Sequence, residues 1–446
     1  MADPVLVPAL ADVVIVGAGS AGCVLAERLS RDRERRVLLV EQGSGWWPDD
    51  DVRALRRLPI GSGAQFADHY PETAGLSVIR GRGLGGSSIV NGGYFLRWHR
   101  EDFDGWLSGW SIADVEAAYD ELDGGAGPGG GTMSVSPFAD DELDDICLAY
   151  ENHWARELPV REPAQPWPIV GVNRVRSNRV GPLRMTAAEA YLRQAISRPN
   201  LTVLTASTVD ALLTSGRDVT GVRIGSDAVH CDEVILCAGT LGTATLLASS
   251  TLDALVPEPE LRIREHREVL VSYRAVSPRS AVAVLPTVVH TADGFEIRCY
   301  GDDFASLIGG MPATSQTIGV AGMDPAAGGL LRIVDDRLHV ELEPLDTVVA
   351  ERMSAVVESV IEMLYSADFA GLVDSGSVTV EPVVATSQHA WGTMPMGVRT
   401  DWLGGVYGTR GLRIVDGSIL PSDGRSGPHA TTMMMACRIG DQLILC

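Results

Sequence analysis

The sequence predicts an α/β fold, α+β over the whole chain, with a Rossmann-like unit at its amino end and a second body on a mostly antiparallel sheet. Three observations predict it. A buried strand, a glycine-rich turn, a helix and a second buried strand follow one another within residues 12–41, the order of a βαβ unit. Between about residues 265 and 345 short strand-like runs alternate with turn residues, the texture of an antiparallel sheet. The 446 residues also exceed the roughly 250–300 that one core serves, so two domains are expected.

Asp12 to Val16 (DVVIV) is apolar and short, like a strand buried on both faces of a parallel sheet. AGCVLAERLS mixes apolar and polar positions at helical spacing, and VLLVE returns to a buried strand ending at Glu41. Residues 46–79 read as irregular. A helix is expected from Ser111 to Leu122, because Ser111 and Asp114 resemble a capping box. GGAGPGGG at 124–131 can form only a loop. TAAEAYLRQA at 186–195 reads as a helix opened by Thr186. Strands follow at 201–204, at a hairpin about Gly216-Arg217, and at Glu233 to Cys237. After the antiparallel region come an amphipathic helix over 347–365, a strand SVTVEPVV, and a terminal helix over 431–445.

Composition excludes several classes. The formal net charge is −22, and a nucleic-acid partner would demand clustered basic residues. The chain has no lysine, so all 36 basic residues are arginine, which reflects codon bias more than chemistry. Seven scattered cysteines without a C-x-x-C pair support neither a zinc site nor a disulfide framework. MADPVLVPAL lacks the basic start of a secretory signal, and no run approaches the ~18 apolar residues of a membrane span. The expected location is cytoplasmic, with peripheral attachment at the inner face of the cell membrane left open.

Gly17-x-Gly19-x-x-Gly22 is the dinucleotide fingerprint. Its glycines permit a tight turn, close approach to a pyrophosphate and close helix–strand packing, and the anion sits on the helix N-terminus. Glu41, about 20 residues on, stands where an acid binds an adenosine ribose. These residues do not distinguish FAD from NAD. A second glycine-dense stretch, RGRGLGGSSIVNGG from Arg80 to Gly93, offers exposed N–H groups to a phosphate or a flat ring. His389 and His429 stand among glycines near the chain end, and a neutral imidazole can take an alcohol proton as general base.

These motifs, with TAAEAYL, EVILCAGTLGTATLL, H-x-x-G-T-x-x-M-G from His389 and VDGSILP before the terminal helix, resemble the glucose–methanol–choline (GMC) family of FAD-dependent oxidoreductases. The resemblance implies an FAD-binding domain from 1–100, 170–262 and 386–446, and a discontinuous substrate or cap domain from 101–169 and 263–385. It implies His389 as catalytic base and His429 as its partner. The implied FAD contacts are Gly17, Gly19, Ser20, Gly22, Glu41, Arg82, Gly85, Gly86, Ser87, Asn91, Gly92, Val209, Ala238, Asp416, Gly417, His429, Ala430 and Thr431, with no metal. Asn91 and Gly92 stand where some members attach flavin through histidine, so the FAD is expected to be non-covalent.

The implied reaction is oxidation of an alcohol, with hydride passing to flavin N5. RGLGGSSIVNGGYF is similar to the mycofactocin-associated subgroup, which implies a reduced redox cofactor as substrate and a respiratory carrier as acceptor. Two other readings are a small-alcohol oxidase using oxygen and a hydroxynitrile-lyase-like member with structural FAD. The family's second signature is blurred to LLASSTLDALVPEP, and its later G-x-G-x-N-L-x-D-H stretch survives only as Glu265-His266.

Overall fold

A computed structural model describes residues 6–73, 77–126, 130–249, 261–312, 314–334 and 337–445. Most of the blurred LLASSTLDALVPEP segment and the middle of the 124–131 loop lie outside them. Five short strands, β1 (Val13–Val16), β2 (Val37–Val40), β3 (Leu201–Leu204), β4 (Glu233–Leu236) and β5 (Leu412–Ile414), form one sheet in the order β5-β4-β1-β2-β3. Every pairing is parallel. β1 and β2 are buried at every position, which is why both read as unbroken apolar runs. The order reverses at β1, and in such sheets ligands bind beside the carboxyl ends of the strands at that switch point.

Helix α1 (Ser20–Leu29) lies between this sheet and the terminal helix. All of its residues but Ser20 are buried, so its polar positions face protein rather than water. Arg28 is enclosed with Glu27 (3.0 Å) and Asp441 (2.9 Å) as ion partners. The helix expected at 186–195 opens with reciprocal Thr186–Glu189 capping bonds and runs as a π helix, Ala188–Leu192, into the α-helical turn Arg193–Ala195. Helix α2 (Ile112–Asp123) begins at its Ser111 cap. Helix α3 (Gly239–Ala248) follows β4.

The antiparallel region is two sheets rather than one. Strands 267–275, 287–290, 295–299, 316–322, 373–380 and 385–386 join Gly171–Arg174 in a seven-stranded antiparallel sheet with its own apolar core. Strands 261–265, 327–334 and 337–342 form a separate sheet whose Ile263, Leu331 and Val340 pack into the core of the parallel sheet. Alternation alone cannot say which core a strand faces. Helix α4 (Thr347–Tyr365) buries Met353, Val357, Val360 and Leu364 against the seven-stranded sheet, the i, i+4, i+7 stripe of a surface helix.

Three further placements depart from the sequence reading. A hairpin, Ala67–Pro71 with Ser77–Gly81, occupies part of the stretch read as irregular; Pro71 and Asp68 mask its strand pattern. Gly171–Arg174 belongs to the antiparallel sheet, not with the nucleotide body. Trp106, Trp110, Tyr119 and Leu122, counted with the cap, are buried in the nucleotide-side core.

Arg97 binds the loop after Asn91 to α2. Its guanidinium is fully buried and grips Asp123 through Nε (2.9 Å) and Nη2 (2.6 Å), under the rings of Tyr119 and Trp167. Arg97→Met leaves the buried Asp123 carboxylate with the Gly125 N–H (2.9 Å) and, as its remaining cation, Arg176 at 3.6 Å. Breaking a buried pair costs about 3–5 kcal/mol, so urea unfolding is expected to shift by that order.

Candidate active site

The glycine loops meet at the carboxyl edge of the parallel sheet. A Cβ on Gly22 would lie 1.9 Å from the Gly17 carbonyl oxygen, and one on Gly86 would lie 2.7 Å from the Gly19 Cα. Backbone packs on backbone there, so no side chain fits. The Gly85 N–H donates to the Ala18 carbonyl (2.7 Å) and clamps the second loop on the first. No side chain caps the start of α1 at Gly19-Ser20, which leaves its first N–H groups open to an anion.

Glu41 ends β2 with its carboxylate accepting the N–H of Ala18 (2.9 Å), Gly43 (2.8 Å) and Gly83 (2.9 Å). Burial raises its pKa and those N–H groups oppose the rise. Three of about four acceptor positions of a carboxylate are used, so Glu41 joins the two glycine loops and keeps one acceptor position open. Ser207 N–H donates to the Glu41 carbonyl (3.0 Å), bringing the partly buried Val209 to this end. Ala238 lies against Gly17. After β5, buried Asp416 accepts from Thr243 Oγ1 (2.6 Å) and Ser418 N–H (2.8 Å), and the Gly417 carbonyl takes the Gly392 N–H (3.0 Å). Ser87 Oγ accepts the Gly81 N–H (3.0 Å) inside its own loop, while half-exposed Arg82 turns to Asp68 (3.4 Å).

The cradle leads to the histidines. Helix α5 (His429–Leu445) begins with His429, Ala430 and Thr431, and Thr431 Oγ1 meets the Tyr119 hydroxyl at 2.7 Å. The Asn91 amide lies 3.1 Å from His429 Nδ1. Its Oδ1 is occupied by the Gly93 N–H (3.0 Å), so Nδ2 is the atom that donates to His429. His429 Nδ1 therefore accepts and Nε2 carries the proton, an assignment made from the network. That Nε2 is buried without a partner. The Phe95 ring stands edge-on to the imidazole at 5.1 Å.

His389 comes to the same corner. A Cβ on Gly427 would lie 3.3 Å from its Nε2 and 3.5 Å from the Tyr94 ring. Its Nδ1 contacts His266 Nδ1 at 2.6 Å. Burial, then the neighbouring His266 ring and the Arg298 charge, hold the His389 pKa well below the usual histidine value. Burial and Arg184 bring His429 down to about 4. Both rings are neutral at pH 7.

Several residues here escaped the sequence reading. Glu296 and Arg298 alternate with Phe295, Ile297 and Cys299, which enter the second core, so the two charges share the other face of the strand. Glu296 accepts from Arg298 Nε (2.6 Å), from the Tyr94 hydroxyl, and pairs with His290 (2.8 Å). Although burial opposes it, Arg298 and His290 hold the Glu296 carboxyl well below the usual range. Charges at i and i+2 of an apolar run, FEIRC, were the available signal. Among the described residues no group of three or more His, Cys, Asp or Glu could hold a metal ion, and no helix is long and apolar enough to cross a membrane.

A dinucleotide cradle opening on two neutral histidines is an arrangement that suits a dinucleotide-dependent oxidoreductase. Comparison with known proteins agrees. Residues 11–257 match the amino-terminal model of the GMC oxidoreductases and residues 345–436 the carboxyl-terminal one. A protein named uncharacterized GMC-type oxidoreductase in thcA 5'region, from Rhodococcus erythropolis, is 31% identical over 96% of this chain and 97% of its own length. An oxygen-dependent choline dehydrogenase of Paraburkholderia phymatum is 26% identical over 97% of this chain and 92% of that protein. Among solved structures, pyridoxine 4-oxidase from Mesorbium loti superposes with a TM-score of 0.86 at 23% identity, covering 98% and 99% of the two chains. This chain belongs to the GMC oxidoreductase family, and its cofactor is FAD. The open N-terminus of α1 is a feature that such a group would satisfy.

Proposed function

We propose that the protein oxidises an alcohol, a CH–OH donor, with His389 Nε2 as general base and His429 Nε2–H holding the alcohol oxygen. The observation that carries it is the buried, unpartnered His429 Nε2 donor at the corner where Gly427 faces His389 Nε2. His389, neutral at pH 7, takes the hydroxyl proton. His429 stabilises the oxygen as that proton leaves, as a preorganised donor does for developing charge. Bound FAD supplies the hydride acceptor, N5. Gly17, Gly19, Ser20 and Gly22 hold the pyrophosphate on α1, Glu41 the ribose, and Asn91, Asp416 and the start of α5 the flavin end. Asn91 and Gly92 offer no nucleophile to the ring, so the FAD is held without a covalent bond.

The relatives named choline dehydrogenase and pyridoxine 4-oxidase support an alcohol donor. The finer reading, a reduced mycofactocin-type cofactor as donor and a respiratory carrier as acceptor, rests on the RGLGGSSIVNGGYF motif. The domain division follows the two cores: the seven-stranded sheet with α4 is the substrate body, and the parallel sheet with α2 and the sheet of 261–265, 327–334 and 337–342 is the FAD body. An anaerobic reduction screen over small alcohols and purified mycofactocin tests the reading. A yellow holoenzyme that bleaches with one of them, followed by reoxidation in air or by quinone-type acceptors, is the expected result. Turnover with the flavin oxidised throughout would instead establish a lyase.

A further inference from the structure

Two adjacent residues hold His389 from opposite sides. The fully buried Glu265 carboxylate accepts the N–H of His389 (2.9 Å), of Ala390 (3.0 Å) and of His266 (2.9 Å). Gln388 (φ 64°) and Ala390 (φ 29°), which flank His389, have left-handed backbone. Such conformations cost about 1–3 kcal/mol each and persist only where the surroundings over-determine them. Glu265 supplies one constraint. The Gln388 side chain supplies another, through the Ile79 N–H (2.7 Å) and the Ser77 carbonyl (3.1 Å) of the 67–81 hairpin. The segment is held in a strained shape that turns the imidazole toward Gly427.

The ring is held by His266, which is fully buried and packs on Trp391 with centroids 4.5 Å apart. Burial brings His266 down to about 3, so two neutral rings meet Nδ1 to Nδ1 at 2.6 Å. Such a contact needs one proton between them. If His266 donated it, its Nε2 would be bare. That buried nitrogen has no hydrogen-bond partner among the described residues. The reading of His389 as base, which needs a bare Nε2 there, puts the shared proton on His389 Nδ1 and leaves His266 Nδ1 to accept it.

We propose that Glu265 and His266 are a positioning pair for His389: Glu265 fixes its backbone, and His266 accepts its Nδ1–H, so that the bare Nε2 faces the substrate. The pair takes no proton from the alcohol. It does for the base what Asn91 does, with the opposite sense, for His429: one imidazole offers a lone pair and the other offers an N–H. The inference rests on the reading of His389 as base.

Long-range 1H–15N spectra of the FAD-loaded enzyme, labelled at histidine and assigned with His389→Gln, read the tautomer without any substrate. The wild type is expected to show His389 protonated at Nδ1 and bare at Nε2. His266→Leu is expected to lose that preference and to bleach ~10²–10⁴-fold more slowly, the order that a lost base or a wrong tautomer costs, with KM little changed. His266→Asn returns an acceptor and is expected to restore both the tautomer and most of the rate. Should His266→Leu not retain FAD, the wild-type spectrum and His266→Asn decide. A wild-type His389 protonated at Nε2, or an unchanged tautomer and rate in His266→Leu, overturns the proposal. The stated tautomer together with full activity in His389→Ala would overturn the base assignment instead and leave the geometry of the pair standing.

Discussion

His389→Ala is expected to bleach ~10²–10⁴-fold more slowly with substrate under anaerobic conditions, while FAD remains bound. The magnitude is that of removing a positioned general base. Binding should survive because the side chain touches none of the cradle: its contacts are His266, Gly427 and the space beside Tyr94. The pH profile adds a second reading. Burial, then the neighbouring His266 ring and the Arg298 charge, depress the His389 pKa, so the imidazole is already the neutral base throughout the neutral range. Stopped-flow bleaching of the wild type is expected to be flat from neutral pH upward. It should fall in acid only below the ordinary histidine value of about 6.5, as the ring is protonated. A rate for His389→Ala equal to wild type would remove His389 from the chemistry.

Gly22→Ala is expected to abolish FAD retention and to lower stability. The added methyl would stand 1.9 Å from the Gly17 carbonyl oxygen and 3.1 Å from its carbon. Both are backbone atoms, so no rotamer relieves the clash. Either α1 moves away from β1 or the turn opens, and both displace the uncapped N–H groups at the start of α1, the proposed pyrophosphate seat. Overpacking of this kind costs typically about 1–3 kcal/mol, occasionally more. Gly309→Ala is the control, since a Cβ there meets nothing within 4 Å. Flavin absorbance after gel filtration, with melting temperature, checks both. A yellow, normally stable Gly22→Ala would mean that the turn tolerates a side chain and that the fingerprint does not set this geometry.

Much of the nucleotide body was legible because its signals are local. β1, the glycine turn, α1 and β2 lie within 30 consecutive residues, and each obeys a short-range rule: buried strands are apolar, the turn needs glycine, and an acid ends the second strand. Helix 347–365 was legible for the same reason, since its apolar stripe repeats within one helix. Ser111 and Thr186 announced their caps three residues ahead of the partner they bind.

What the sequence could not give is set by partners far apart in the chain. Glu265 reaches His389 across 124 positions, and Tyr94 reaches Glu296 across 202. The surviving Glu265-His266 dipeptide therefore read as the remnant of a motif, although it is the support of the proposed base. Glu41 was legible as an acid at the end of β2, but its bonds to Ala18 and Gly83 tie together two loops read as independent. The division of 261–342 between two sheets was hidden because alternation gives a strand's buried face without saying which core it faces. Local backbone chemistry, written in glycines and apolar runs, determined the cofactor cradle. Folding decided which proton each histidine nitrogen carries, because a tautomer depends on neighbours that only the tertiary structure brings within hydrogen-bond distance.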